Sequence, residues 1–464
     1  MRKLSLNLLS LIICVTVLSQ TEDSLMIRRI ADEILLHSKA YDNLHDLTKN
    51  IGARLTASPQ FYKAEQWGMK VLKESGADRT WLQQCLVPHW IRGGKDVAEA
   101  RYKTSTTGGR NYISGKKSLD ILALGNSIGT GGKGITADVI EVKSFDDLET
   151  MKHNVNGKIV FFNYPFNRTF IRTFQAYGDA VRYRAGAASS AAKHGAVAVI
   201  VRSMTESADN HPHTGALHYD TTLPQIPAVA IGLKDADWLS SAIANKPLQV
   251  YLKTGGKFLP DTIGHNVIGE MTGSEFPDQI ITVGGHLDSW DPAEGAHDDG
   301  AGVVHSIEVL RVFKALGYRP RHTIRVVLFA NEENGLRGGA KYAEEAKAKK
   351  EKHVFAVESD GGGFTPRAFS FGGTPEQLKK LRSWLPLLYE YGVYEITEGG
   401  GGADITALNT DLQVPVAGFA PDSQRYFDIH HARSDVFENV NKRELELGAV
   451  TIAALIYLVD KYGL

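Results

Sequence analysis

Residues 279–300 read QIITVGGHLDSWDPAEGAHDDG, and the next sixteen carry Val304, Ile307, Leu310 and Leu316 at helical spacing. Gln279–Gly284 is a short apolar run of strand length, rich in β-branched residues. Ala301–Leu316 is an apolar-faced helix. The pattern then repeats. Thr323–Ala330 is almost unbrokenly apolar, Ala340–Lys352 is a charged surface helix, and Val354–Val357 is a third apolar strand. Glu444–Tyr462 closes the chain as a largely apolar helix. Apolar strands alternating with helices predict an α/β protein, a three-layer α/β/α stack around a mostly parallel mixed sheet. In such sheets ligands gather beyond the carboxyl ends of the strands.

Upstream lies a second set of apolar runs, Leu119–Leu124, Lys158–Tyr164, Ala196–Val201 and Ile226–Ile231, with an Ala-rich helix over Tyr183–His194. They predict a separate β-rich domain inserted at 118–253, with Gly255-Gly256 as the hinge back. Residues 21–117 would be the N-terminal part of the unit completed by 254–464. Ile27, Ile30, Ile34, Leu35 and Leu47 make its first stretch helical, and Arg54–Ser58 interrupts that pattern. A chain of 464 residues is long enough for two or three such units.

The formal net charge of -1 gives no basic excess for nucleic acid or an anionic membrane. Residues 1–20 read as a signal peptide: Arg2 and Lys3, an apolar stretch to Leu18, and a cleavage site near Gln20. That stretch is shorter than the ~20 residues of a bilayer span, and no later segment is long and apolar enough to cross. Cys14 would leave with the signal, so Cys85 would be the sole thiol of the mature chain. Asn167-Arg168-Thr169 is an N-glycosylation sequon. Together these place the protein outside the cell or along the secretory pathway to the lysosome.

The chemistry lies where polar residues follow the strands. The first ends in Gly285-His286-Leu287-Asp288, the second in Asn331-Glu332-Glu333-Asn334-Gly335, and the third in Glu358-Ser359-Asp360-Gly361. Gly295-Ala296-His297-Asp298-Asp299-Gly300 precedes the apolar helix, and His430-His431 comes four residues before Asp435. Singly, each has an ordinary explanation as a helix cap, a solvated loop or a turn. Together they bring carboxylates and histidines to one sheet edge, where unscreened carboxylates would repel and a divalent metal would relieve them. A mixed imidazole and carboxylate set without thiolate suits zinc, with cobalt or manganese as alternatives. Five ligands exceed what one tetrahedral ion with an open position can use; they suit two ions sharing a carboxylate.

These five segments, in this order, resemble the co-catalytic zinc exopeptidase family, which includes bacterial leucyl aminopeptidases and glutamate carboxypeptidases. The resemblance spans most of 24–464, and the inserted block is similar to a protease-associated domain. It implies two Zn²⁺ per chain, with Asp298 bridging, His286 and Asp360 completing one site, and Glu333 and His431 the other. His431 is preferred to His430 for its spacing to Asp435, although Ala432 stands where many relatives have Thr. Glu332 would be the general base, and Asp288 would hold the second nitrogen of the His286 ring. His297 is read as packing or rim. Gly399–Gly402 would form a pocket wall, with Arg425, Tyr426 and Phe427 nearby. The resemblance further implies short peptide substrates, a carboxypeptidase or dipeptidase activity, and a homodimer. An aminopeptidase of the same family, a single-zinc cyclase on the same fold, and a non-catalytic receptor-like ectodomain are the alternatives.

Overall fold

The computed structural model describes residues 22–105, 112–245 and 248–464, so the signal peptide expected at 1–20 lies outside the described residues. Sixteen strands are described. In chain order they are β1 Arg79–Ile91, β2 Val97–Ser105, β3 Tyr112–Leu119, β4 Ile121–Ala123, β5 Ile135–Val142, β6 Ile159–Phe162, β7 Ala198–Arg202 and β8 Ala228–Ile231. They continue with β9 Leu248–Lys253, β10 Lys257–Met271, β11 Phe276–His286, β12 His322–Phe329, β13 Lys352–Ser359, β14 Pro366–Gly372, β15 Glu395–Glu398 and β16 Val416–Pro421.

They form two eight-stranded sheets. The first runs β1-β10-β12-β11-β13-β16-β14-β15. Its centre, β12-β11-β13-β16, is parallel throughout, while β10 and β14 join antiparallel. β12 is buried along its whole length, which a strand needs when helices cover both faces. Its residues alternate: Ile324, Val326 and Leu328 join the core beneath the helices Pro59–Glu74, Ala301–Ala315 and Lys442–Tyr462. Val327 and Phe329 face Tyr342, Ala343 and Ala346 of the helix Arg337–Lys349. This is the three-layer mixed α/β architecture expected. β16 supplies the fourth parallel strand, which no apolar run had singled out.

The second sheet runs β3-β2-β9-β5-β6-β7-β8-β4 and packs the helix Thr173–Ala192 on one side and Leu233–Asn245 on the other. Its membership starts earlier than residue 118. β2 pairs with both β3 and β9, so residues 97–119 belong with the second sheet and not with the N-terminal part of the first. The polar alternation of β2 and β3 hid them among surface strands. The chain crosses between the sheets at Ile91–Val97 and at Lys253–Lys257. There Gly93 and Gly255 touch, so a Cβ on Gly93 would lie 2.2 Å from the Gly255 carbonyl oxygen. Only glycine lets the two crossings run side by side.

Candidate active site

The parallel strands deliver the predicted residues to one edge. His286, the last residue of β11, lies in register with Phe329 near the end of β12. Gly284 pairs with Glu358 of β13, two residues before Asp360. After β12 the chain turns away at Asn331, whose φ of 64° is left-handed, and forms a short helical turn over Glu332–Gly335. Adjacent Glu332 and Glu333 can therefore serve the same centre. Asn331 makes this break.

Asp298 lies at the middle. Its Oδ1 is 3.2 Å from His286 Nε2, which is 3.5 Å from Asp360 Oδ1. Its Oδ2 is 3.1 Å from His431 Nε2, which is 3.2 Å from Glu333 Oε2. Two nests, each an imidazole with a carboxylate, thus share one carboxylate. His430 stacks on His431 at 3.5 Å and stands 3.6 Å from Asp298. His431 faces both Asp298 and Glu333. Groups of three donors close enough for one ion are Asp298–His430–His431, His286–Asp299–Asp360 and His286–Asp298–Glu333. Buried His286 Nε2 and Asp298 Oδ2 make no hydrogen bond, an arrangement that costs about 1–3 kcal/mol per group unless another partner binds. The donor chemistry and these orphaned atoms fit a divalent cation in each nest.

Electrostatics agree. Burial raises the Glu333 carboxyl well above its usual range, with Asp298 adding to it. Burial likewise pushes Glu332 up to about 8, reinforced by Asp360, Asp298 and Asp288 against the pull of His286. Burial opposes charge on His286, yet Asp298 and Asp360 outweigh it and hold the ring well above the normal imidazole value. Crowded carboxylates of this kind are what a bound cation relieves.

The supporting contacts correct one expectation. The His286 Nδ1 partner is the main-chain oxygen of Asp288, at 3.0 Å; the Asp288 carboxylate is 3.8 Å away. That carboxylate instead accepts from Thr56 Oγ1 at 2.8 Å and from the main-chain N–H of Glu332 and Glu333 at 3.0 and 3.4 Å. It fixes the turn that carries both glutamates, because the chain bends back at Asp288 where a straight strand would have aimed its side chain at the ring.

Other members escaped the sequence reading. Arg54, fully buried, donates to the carbonyls of Leu287, Glu294 and Gly295 and so clamps the loop between His286 and Asp298. Asp299 accepts from His286 N and Gly302 N, tying the strand end to the helix start. Asp435 accepts from His297 N at 2.8 Å and Asp298 N at 3.1 Å, and burial pushes it up to about 7. Of these, Asp435 had a signal in its spacing from His431. His297 stacks on Phe364 at 4.3 Å and accepts from Gly363 N, a packing role as expected. Cys85 is buried, and burial lifts its thiol to about 12, too high for a nucleophile.

The inserted domain reaches the same centre. Thr214 N donates to His431 O at 2.9 Å, and His431 Nδ1 lies 3.2 Å from Thr214 O. His431 has a left-handed φ of 60°, which this two-sided grip holds. Arg184 of the same domain stands 3.3 Å from that Nδ1. Tyr426 and Phe427 pack with Phe174 and Tyr177 of the helix Thr173–Ala192 and form a core between the domains rather than a pocket wall. Beside Asp360 opens a cavity of about 730 Å³. Gly401 and Gly402 line it, as the glycine run predicted.

A model of peptidase family M28 matches residues 266–456, and one of the PA domain matches 124–239. Carboxypeptidase Q of Bos taurus is 34% identical over 423 residues, covering 91% of this chain and 85% of that protein. Carboxypeptidase Q of Xenopus laevis is 36% identical over 433 residues, covering 92% and 88%. The chain belongs to peptidase family M28. That makes it a metallo-exopeptidase with a PA domain set into the peptidase domain. A peptidase M28 precursor from Shewanella amazonensis superposes with a TM-score of 0.87 at 32% identity, covering 95% of this chain and 97% of that one. BSAP, a zinc aminopeptidase from Bacillus subtilis, shares the fold with a TM-score of 0.63 at 20% identity over 90% and 94%.

Proposed function

We propose that the protein is a zinc-dependent exopeptidase of carboxypeptidase or dipeptidase type that hydrolyses dipeptides and short peptides. The observation that carries this reading is Asp298 set between two imidazole–carboxylate nests, with Glu332 at their edge. In this reading His286, Asp298 and Asp360 hold one zinc, and Asp298, Glu333 and His431 hold the second. Bound zinc supplies Lewis acidity, lowering the pKa of the attacking water and polarising the scissile carbonyl. Glu332 takes the proton of that water and hands it to the leaving amine. Burial and neighbouring carboxylates favour the protonated form of Glu332, which suits the second half of this task. Asp288 holds the Glu332–Glu333 turn, and Asp435 holds the main chain at Asp298.

The similarity to carboxypeptidase Q supports the carboxypeptidase or dipeptidase choice. The basic and apolar N-terminus and the Asn167 sequon support a secreted or lysosomal destination. The discriminating experiment offers zinc-loaded protein free dipeptides and amino-acid anilides, with metal content measured per chain. Dipeptide hydrolysis with two zinc ions is expected. Rapid anilide cleavage without dipeptide hydrolysis would move the assignment to an aminopeptidase, and no turnover at all would favour the receptor-like reading.

A further inference from the structure

The cavity beside Asp360 is completed by the PA domain. Ile171, Arg172 and Phe174 line it together with Glu395 of β15 and with Ser423 and Gln424 beyond β16. The segment Ile171–Thr173 leads into the helix Thr173–Ala192 and is tied to both of those elements of the peptidase domain. Toward β15, Arg172 Nη2 donates to Glu395 Oε1 at 2.9 Å and to Oε2 at 3.2 Å. Toward the chain after β16, Thr173 Oγ1 donates to Ser423 O at 2.8 Å and lies 2.7 Å from Ser423 Oγ. Gln424 Nε2 donates to Ile171 O at 2.9 Å. Three consecutive residues of one domain thus bridge two walls of a cavity in the other.

This strap differs from the buried grip on His431. The Arg172 and Glu395 side chains are 58% and 50% exposed. Ties so exposed add little to the stability of the fold. What they fix is the position of Ile171 and Phe174, two largely exposed apolar side chains, against the cavity. Phe174 also stacks on Tyr426 at 5.5 Å, which anchors the helical end of the segment. The cavity, at about 730 Å³, has the size of a site for a small molecule, ~300–1,000 Å³. An extended peptide advances roughly 3.3–3.6 Å with each residue, so a second residue on this side of the nests would have to pass the strap.

We propose that Arg172 and Thr173 are specificity-determining residues: by tying the strap across the cavity they limit it to one residue of the peptide beyond the scissile bond. This deepens the peptidase reading on which it rests, since it says why cleavage stops at the terminal bond. The nests alone do not choose a bond; a peptide threaded further would present its next carbonyl to the same centre. With the strap released, the second bond comes within reach and a dipeptide leaves in place of a single amino acid.

The test gives the zinc-loaded full chain a pentapeptide of five different residues and identifies the first products by mass spectrometry. Wild type should release single amino acids at least about 100-fold faster than dipeptides. In the double variant Arg172→Ala/Thr173→Val that ratio should fall by about tenfold or more, as expected when an exposed ion pair and a neutral hydrogen bond are lost together. Arg172→Lys/Thr173→Ser should restore it, because a single nitrogen makes both contacts to Glu395 and the hydroxyl is kept. Glu395→Gln, on the far side of the strap, should move the ratio in the same direction without touching the PA domain. An unchanged ratio in the double variant, or ready dipeptide release by wild type, would overturn the strap and leave the peptidase reading intact. If no protein cleaves the pentapeptide, the peptidase reading falls, and calorimetry of that peptide against a dipeptide on wild type and double variant decides the strap. A tenfold relative gain for the pentapeptide in the variant supports it, and an unchanged ratio of affinities overturns it.

Discussion

Two adjacent glutamates illustrate how little separates a proposed ligand from a proposed base. Glu333 Oε2 is 3.2 Å from His431 Nε2, inside a nest, while Glu332 carries only its main-chain N–H to Asp288. Glu332→Gln should keep the full zinc content and lose at least about 1000-fold in kcat, since proton transfer is its proposed task. Full turnover in that variant would sink the assignment. Asp298→Ala should lose metal outright, as atomic absorption after dialysis would show, because both nests share its carboxylate. Asp288→Asn tests the corrected role. It preserves the main-chain carbonyl that meets His286 and weakens only the clamp on the glutamate turn. It should therefore lower kcat while zinc binding at His286 changes little. The residue types and their spacing were legible from the chain. What Asp288 touches was not, since that depends on where the backbone bends after His286.

Among the elements, the loop from β11 to the helix Ala301–Ala315 carries Asp298, the proposed bridging residue, and one guanidinium holds three of the loop's carbonyls. Arg54→Met removes three donors from the carbonyls of Leu287, Glu294 and Gly295. It should destabilise the fold by roughly 3–5 kcal/mol, the range for leaving buried partners uncompensated, measured by denaturant unfolding. The helix itself offers a pH test. Glu308 is buried beside Arg311, and burial pushes its carboxyl up to about 7 against the pull of that cation. This lies above the ordinary Glu value of ~4.3, so the folded state binds the proton more tightly. The resulting stability is fully present below the unfolded value and is lost as pH rises through about 7. Glu308→Gln removes the dependence. The wild-type Tm minus the variant Tm should fall between pH 4 and 8, and a flat difference would show that Glu308 stays ionised throughout. The helix and its apolar face could be read from periodicity. The arginine could not, because it lies more than 230 residues from the carbonyls it holds.

At the scale of the whole molecule, the PA domain is a wall of the catalytic centre as well as an insert. Its Thr214 grips the main chain and ring of His431, and its Asp120 meets Arg433 at 2.6 Å. Thr214→Pro deletes the N–H that binds His431 O. It should weaken zinc in the Glu333–His431 nest more than in the His286–Asp360 nest, read as loss of one of two metal equivalents in a chelator titration. Loss of both together would show that the grip does not act through His431. The sequence by itself determined the α/β class and the inserted domain and singled out the five segments proposed to carry ligands, because strand and helix periods are local and the acids and histidines stand directly after them. It placed the domain boundary at 118, since the exposed alternation of β2 and β3 carries no apolar run. Only the tertiary structure decided which histidine faces both Asp298 and Glu333, what Asp288 holds, and that Arg54, Asp435 and Thr214 support the proposed metal ligands. Those contacts join residues distant in the chain, and no local pattern records a partner that only folding brings within reach.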